Sequence, residues 1–174
     1  MSDSRFPQGF RLEILGRQHR RKTFRSSESK VDDWLATKAL QHQEKHLSMT
    51  RVLLAENDEI AGFYTLAVGQ VDFGQLPAET RKGLPRRALP AAVLAWLGVH
   101  QTLQGQGLGG LLVEQALRDC HEAGRTLAFV AVILDCLSDA AKQFYQQWDF
   151  QEVPGHPYRL FLSAKRLEAM MAPP

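Results

Sequence analysis

The chain has 174 residues, 44% of them hydrophobic and 23% charged. The length suits one domain, read as residues 1–174, and the composition suits a globular chain rather than a disordered tail, a collagen-like repeat or a disulfide scaffold. Twenty-one Lys and Arg against nineteen Asp and Glu leave a formal charge of +2. That excludes nucleic-acid binding by net charge alone, while leaving room for local basic patches.

The longest apolar runs, Ala91–Val99 and Leu127–Leu134, fall far short of the ~20 residues a membrane helix needs. No membrane association is expected. The segment Met1–Arg5 lacks an apolar leader core, so a cytoplasmic location is expected. In a reducing compartment Cys120 and Cys136 read as free thiols, and no metal-ligand cluster surrounds them.

In chain order, Phe10–Leu15 alternates as a half-buried strand does. Arg17, Arg20, Arg21, Lys22 and Arg25 follow without an acid among them. Ser26-Ser27-Glu28-Ser29 offers helix-capping chemistry. Val31, Trp34, Leu35 and Ala39 then recur at helical spacing, which predicts a helix to about His46. Thr50–Ala55 and Ile60–Val68 read as a hairpin about the turn Glu56–Glu59. Gly69–Pro90 reads as a long polar connection, a kind of segment that is often functional. It carries a second basic group, Arg81, Lys82, Arg86 and Arg87.

Ala91–Val99 reads as a buried strand, and Leu108–Ala123 as a helix with the stripe Leu108, Leu112, Ala116 and Cys120. Thr126–Leu134 reads as an interior strand. Ser138–Trp148 reads as a helix with Ala141, Phe144, Tyr145 and Trp148 on one face, and Tyr158–Ser163 as a last strand. The order is βαββ–βαβαβ, a layered α/β arrangement with helices on a mixed sheet.

Between a buried strand and an amphipathic helix stands Gln104-Gly105-Gln106-Gly107-Leu108-Gly109-Gly110. Glycines allow close backbone approach and positive φ, and the following helix N-terminus offers orphan N–H groups to an anion such as a pyrophosphate. A Walker loop would need a Gly-Lys-Ser/Thr end, which is absent. A Rossmann Gly-x-Gly-x-x-Gly string is present, but late in the chain and without an acid at the required distance. A plain tight turn is the remaining structural alternative.

The run Gln104–Gly109 resembles the Gln/Arg-x-x-Gly-x-Gly/Ala signature of the GNAT acetyltransferase superfamily. Ala141-Lys142-Gln143-Phe144-Tyr145-Gln146-Gln147-Trp148-Asp149-Phe150 resembles that family's Ala-x-x-x-Tyr-x-x-x-Gly-Phe box. The resemblance runs from about Phe24 to Leu162. Asp149 stands where the family usually has glycine, and Ser138, which can still cap the helix, where an asparagine is common.

This resemblance implies a GNAT-like fold, with a mixed, mostly antiparallel central sheet flanked by helices, and acetyl-CoA as acyl donor without a metal. It implies that the turn, Gln104, Gly105, Gln106, Gly107, Leu108, Gly109 and Gly110, binds the pyrophosphate. Leu97, Gly98 and Val99 would lend backbone groups to the thioester and pantetheine, with Gly98 permitting a bulge. Tyr145 would protonate the leaving thiolate, since a phenol of pKa ~10 keeps its proton at neutral pH. Its alternative is a core aromatic. His100 suits a general base by its ordinary pKa of ~6.5, or is a solvated loop residue. Glu13, Glu44, Glu59 and Glu114 read as solvated or pairing carboxylates.

Phe24–Ala39, with its Trp34-Leu35-x-x-x-Ala39, and Ile60–Ala67 resemble the toxin-type acetyltransferases of toxin–antitoxin pairs. That likeness implies charged tRNA as acceptor, with an antitoxin and a homodimer as candidate partners, and the two basic groups as phosphate contacts. The fourth strand differs: Ala95-Trp96-Leu97-Gly98-Val99-His100 replaces a Gly-Arg-Leu-Ala-Val-Asp pattern. Small-molecule amines and protein or peptide amines therefore remain alternative acceptors, and a non-catalytic acetyl-CoA sensor is the alternative to an enzyme.

Overall fold

The computed structural model describes residues 5–174. Seven strands form one sheet in the order β1-β2-β3-β4-β5-β7-β6. They are β1 (Arg11–Ile14), β2 (Met49–Leu54), β3 (Ile60–Asp72), β4 (Ala88–Val99), β5 (Ala131–Asp135), β6 (Gln151–Val153) and β7 (His156–Ser163). The β4–β5 pair is parallel, and the β1–β2, β2–β3, β5–β7 and β6–β7 pairs are antiparallel. The helices are α1 (Ser29–Asp33), α2 (Ala39–Glu44), α3 (Ala78–Arg81), α4 (Leu108–Gly124), α5 (Asp139–Gln146) and α6 (Ala164–Met171). The mixed α/β layering expected from the sequence is present.

The chain condenses into two compact units, and their boundaries fall within β3, β4 and α4. One unit comprises the chain to Ala67 and Ala95–Ala116; the other comprises Val68–Leu94 and the chain from Leu117. In the first unit, β1 and β2 pair with Leu12 opposite Leu53, and β2 and β3 with Val52 opposite Phe63. The β2–β3 turn closes at Asn57-Asp58, where Asp58 takes φ 64°, a left-handed conformation that Asp tolerates better than most residues.

α1 and α2 are joined by a π-helical turn, Trp34–Lys38, closed by the Ala39 N–H donating to the Trp34 carbonyl. The sequence predicts a continuous helix here. The wider turn keeps Val31, Trp34, Leu35 and Ala39 all buried, packed with Phe24, Val52 and Phe63. Capping falls on Glu28, whose carboxylate accepts from the Lys30 N–H.

In the second unit, the parallel ladder covers Ala91–Val93 against Ala131–Ile133. Its core gathers Val71, Leu89, Ala131, Val153 and Phe161. Several expected boundaries shift. The expected loop from Gly69 to Pro90 instead holds the end of β3, α3 and the start of β4. β5 begins at Ala131, not Thr126, because Thr126 and Leu127 donate backward to the Ala123 carbonyl and finish the last turn of α4. β6 and α6 are additions: three residues give too short a pattern to read, and α6 follows β7 directly, capped by Ser163 Oγ accepting from the Arg166 N–H.

Candidate active site

β4 enters the first unit at Ala95 and ends at Val99. Gly98 is buried there because a side chain has no room: a Cβ would lie 2.8 Å from Val31 Cγ1, 3.2 Å from Phe63 Cε1 and 3.4 Å from Phe24 Cζ. Close packing requires a glycine here. The His100 N–H donates to the Ala61 carbonyl at 2.7 Å. The His100 imidazole caps the short 3-10 turn Gln101–Leu103: its Nδ1 accepts from the Thr102 N–H at 3.3 Å and lies 2.9 Å from Thr102 Oγ1. Its ring also packs edge-on against Phe24, 5.8 Å between centroids. This ring is an anchored loop element, with one nitrogen committed.

The glycine turn follows. Gly105 and Gly107 have φ 80° and 84°, values that disfavour any side chain. No heavy atom lies within 4 Å of a Cβ built on either residue. The turn presents an open backbone surface leading into the 17-residue helix α4. The first N–H groups of such a helix have no intrahelical acceptor and carry partial positive charge. Leu108 is buried and anchors the helix start, whereas Gln106 is exposed; Gly109 and Gly110 lie in the first turn of α4.

Gln104 is committed elsewhere. Its amide donates to the Ser26 carbonyl at 2.6 Å and the Val99 carbonyl at 3.0 Å, tying the turn to the end of β4. The Gln101 N–H donates to the Arg25 carbonyl at 2.7 Å. Asp32 Oδ1 in turn accepts from the Ser26 N–H at 2.9 Å and Ser26 Oγ at 2.7 Å. Sequence reasoning missed this Arg25–Ser26–Asp32 brace, because Ser26 lies 78 positions from Gln104.

Tyr145 belongs to the second unit, on α5. Ser138 caps that helix, its Oγ accepting from the Ala141 N–H at 3.1 Å, as its capping chemistry suggests. Trp148 falls in the turn after α5. Phe144 and Phe150 pack on the Tyr145 ring with centroids 5.2 and 6.1 Å away. Burial, and secondarily the neighbouring Cys136 thiol, push the phenol well above its ordinary range. It therefore stays protonated at neutral pH and is chemically a donor. Asp149 takes φ 64°, and its carboxylate accepts two bonds from Arg166, at 3.0 and 2.5 Å.

The four carboxylates set aside above are paired. Glu13 meets Arg11 and His19, Glu44 meets Arg17, Glu59 meets Arg20 and Glu114 meets Arg5. Both cysteines are free and buried. In the first basic group, Arg17 and Arg21 line an open groove of about 370 Å³ with Thr37, Leu40, Gln41 and Glu44. In the second, the Arg81 and Arg86 guanidinium carbons lie 5.6 and 5.9 Å from the centre of the Phe73 ring. Among the described residues, no helix is long and apolar enough to cross a membrane.

A mixed sheet whose fourth strand runs through a glycine turn into a long helix is the architecture of an acyl-coenzyme A transferase. Residues 48–152 match the family profile described as an acetyltransferase (GNAT) domain. The chain belongs to the GNAT acetyltransferase family. It is 32% identical to the tRNA-acetylating toxin of Mycobacterium tuberculosis over 86% of this chain and 89% of that one. It is 26% identical to the probable toxin TacT of Sinorhizobium fredii over 70% and 73% of the two chains. The fold superposes on AtaT complexed with acetyl-methionyl-tRNAfMet with a TM-score of 0.86 at 22% identity, covering 94% of this chain and 99% of that one.

Proposed function

We propose that this chain, read as one N-acetyltransferase domain, transfers acetyl from acetyl-CoA to the amino group of an aminoacyl-tRNA in the cytoplasm. The observation that carries the donor is the open turn at Gly105 and Gly107, held by Gln104 and leading into α4. The acceptor follows from similarity to a tRNA-acetylating toxin. An antitoxin protein and a second copy of the chain are the macromolecular partners this reading carries.

Acetyl-CoA supplies the acetyl group activated as a thioester. The turn Gln104–Gly110 holds the pyrophosphate by backbone N–H groups. Leu97, Gly98 and Val99 orient the pantetheine and thioester through their backbone. Tyr145 holds the proton that the departing sulfur takes up as its bond to the acetyl carbon breaks and the amine nitrogen bonds to that carbon. The proton lost by the amine restores the phenol, so protons balance over one turnover. His100, with one nitrogen engaged by Thr102, has no part in this scheme.

The test is a panel of charged tRNA, polyamines and peptides, assayed for coenzyme A release. Charged tRNA should be the preferred acceptor. Tyr145→Phe should lower kcat by ~10²–10⁴-fold and leave acetyl-CoA affinity unchanged. Efficient acetylation of polyamines or peptides, with charged tRNA inert, overturns the acceptor; binding of acetyl-CoA with no release on any amine makes the chain a sensor.

A further inference from the structure

Trp34 and Trp96 form an offset indole stack, with centroids 5.2 Å apart and planes 11° from parallel. Trp34 is the fixed member. It is buried at the start of the π-helical turn, and its Nε1–H donates to Thr65 Oγ1 at 3.2 Å. That hydroxyl lies 2.7 Å from Thr50 Oγ1, and both threonines are fully buried. The His42 ring packs against the same indole, 4.7 Å between centroids. Trp96 is only half-buried, so part of this rigidly backed residue stays open to solvent. π-helical turns concentrate at functional sites.

Trp96 also precedes Leu97 directly, and it stands where the toxin-type strand pattern carries arginine. We propose that Trp96, backed by Trp34, is the wall that selects the side chain of the aminoacyl group. This rests on the reading of charged tRNA as acceptor. The attacking amine must come within ~3–3.5 Å of the thioester carbon. The aminoacyl side chain branches from the same carbon as that amine, and neighbouring residues of a strand are only ~3.8 Å apart. Side chains two apart on a strand share a face, so the Trp96 ring lies on the face of Gly98, beside Val31 and Trp34, and an aminoacyl side chain approaching the thioester from that face meets it before any part of the RNA beyond the ester. An indole plane offers dispersion contact, with one N–H donor at its edge and no counter-charge. It favours an apolar or aromatic side chain over a carboxylate, which is desolvated against the ring with no cation to pair it.

The experiment charges one tRNA body in turn with glycine, methionine, phenylalanine and aspartate, and measures kcat/KM for each. Wild type should prefer methionine and phenylalanine to aspartate by at least ~10-fold, the discrimination typical of apolar pockets. Trp96→Ala should collapse that preference, Trp96→Phe should keep it, and calorimetric acetyl-CoA affinity should hold in both. If Trp96→Ala lacks a cooperative melt, Trp96→Arg replaces it, with the same expected loss of preference. A purely structural role would lower all four values together. Equal losses, or an unchanged preference, overturn the proposal while leaving the tRNA reading intact. A wild type inert toward all four charged tRNAs removes both.

Discussion

Gly98→Ala adds one methyl group on β4 directly against Val31 of α1. Its Cβ would meet Val31 Cγ1 at 2.8 Å, and Phe63 and Phe24 at 3.2 and 3.4 Å. The last two distances are tight but tolerable; the first demands movement. Val31 is β-branched and 5% exposed, so it cannot swing aside as a long flexible chain would. The cost is that of overpacking a filled core, ~1–3 kcal/mol, and a 2 kcal/mol loss lowers Tm by about 4–8 °C in a chain of this size. Val31→Ala removes the clashing atom. It should destabilise alone, by lost burial and a cavity, yet restore ~1–2 kcal/mol when combined with Gly98→Ala. Thermal melts of the two single variants and the double variant complete the cycle. Because Gly98 lies among the residues read as orienting the thioester, the single variant should also weaken acetyl-CoA binding and the double should recover it. Additive losses, or Gly98→Ala melting with wild type, refute the packing account.

Gly107→Glu places a carboxylate and a disfavoured left-handed residue in the open turn, so acetyl-CoA affinity by calorimetry should fall at least ~10-fold, with Tm lowered by only about 2–4 °C from the backbone strain; equal affinities would remove the turn from the donor site. Burial pushes the Cys120 thiol up to about 12 from an ordinary value of 9.0. The unfolded chain thus releases this proton first, and stability intact below pH 9 falls by ~1.4 kcal/mol per pH unit between 9 and 12. Cys120→Ala should flatten that limb in denaturant titrations, though it starts from a lower stability at pH 7. Asp149→Gly should be more stable than Asp149→Ala by about 1 kcal/mol in urea melts, because only glycine takes φ 64° without strain.

Local signals carried most of what the sequence revealed. The glycine turn, the α4 stripe, the Asn57-Asp58 hairpin and the Ser138 cap each depend on residues within a few positions of one another, and periodicity or turn chemistry exposes such groups directly. The expected connection from Gly69 to Pro90 failed for the opposite reason. Gly69 and Gln70 on β3 are both exposed, so that end of the strand has no alternating pattern to read. Gln104 shows the same limit at the site. Its place in the turn was legible, but its hydrogen bond to Ser26, across 78 positions, makes it a brace of the turn, which spacing cannot report.

The departures from the family pattern extend this point. Asp149 replaces a glycine at a left-handed position, and Arg166 binds its carboxylate. Trp96 replaces an arginine, and Trp34 stacks on its ring. Each substitution is visible from one position alone, whereas its companion lies 17 residues away in one case and on a different element in the other. The two companions differ in kind. The Asp149–Arg166 pair is exposed on both sides, where an ion pair contributes at most ~1 kcal/mol; it eases a strained turn without bearing on chemistry. Trp34 is buried and hydrogen-bonded, and it fixes the orientation of a half-exposed plane next to the residues assigned to the thioester. A surface pair can be lost with little consequence, whereas a buried residue that orients a neighbour beside the reacting groups acts on the reaction through that neighbour. Of the two departures, it is therefore Trp96, and not Asp149, that bears on which acceptor the enzyme takes.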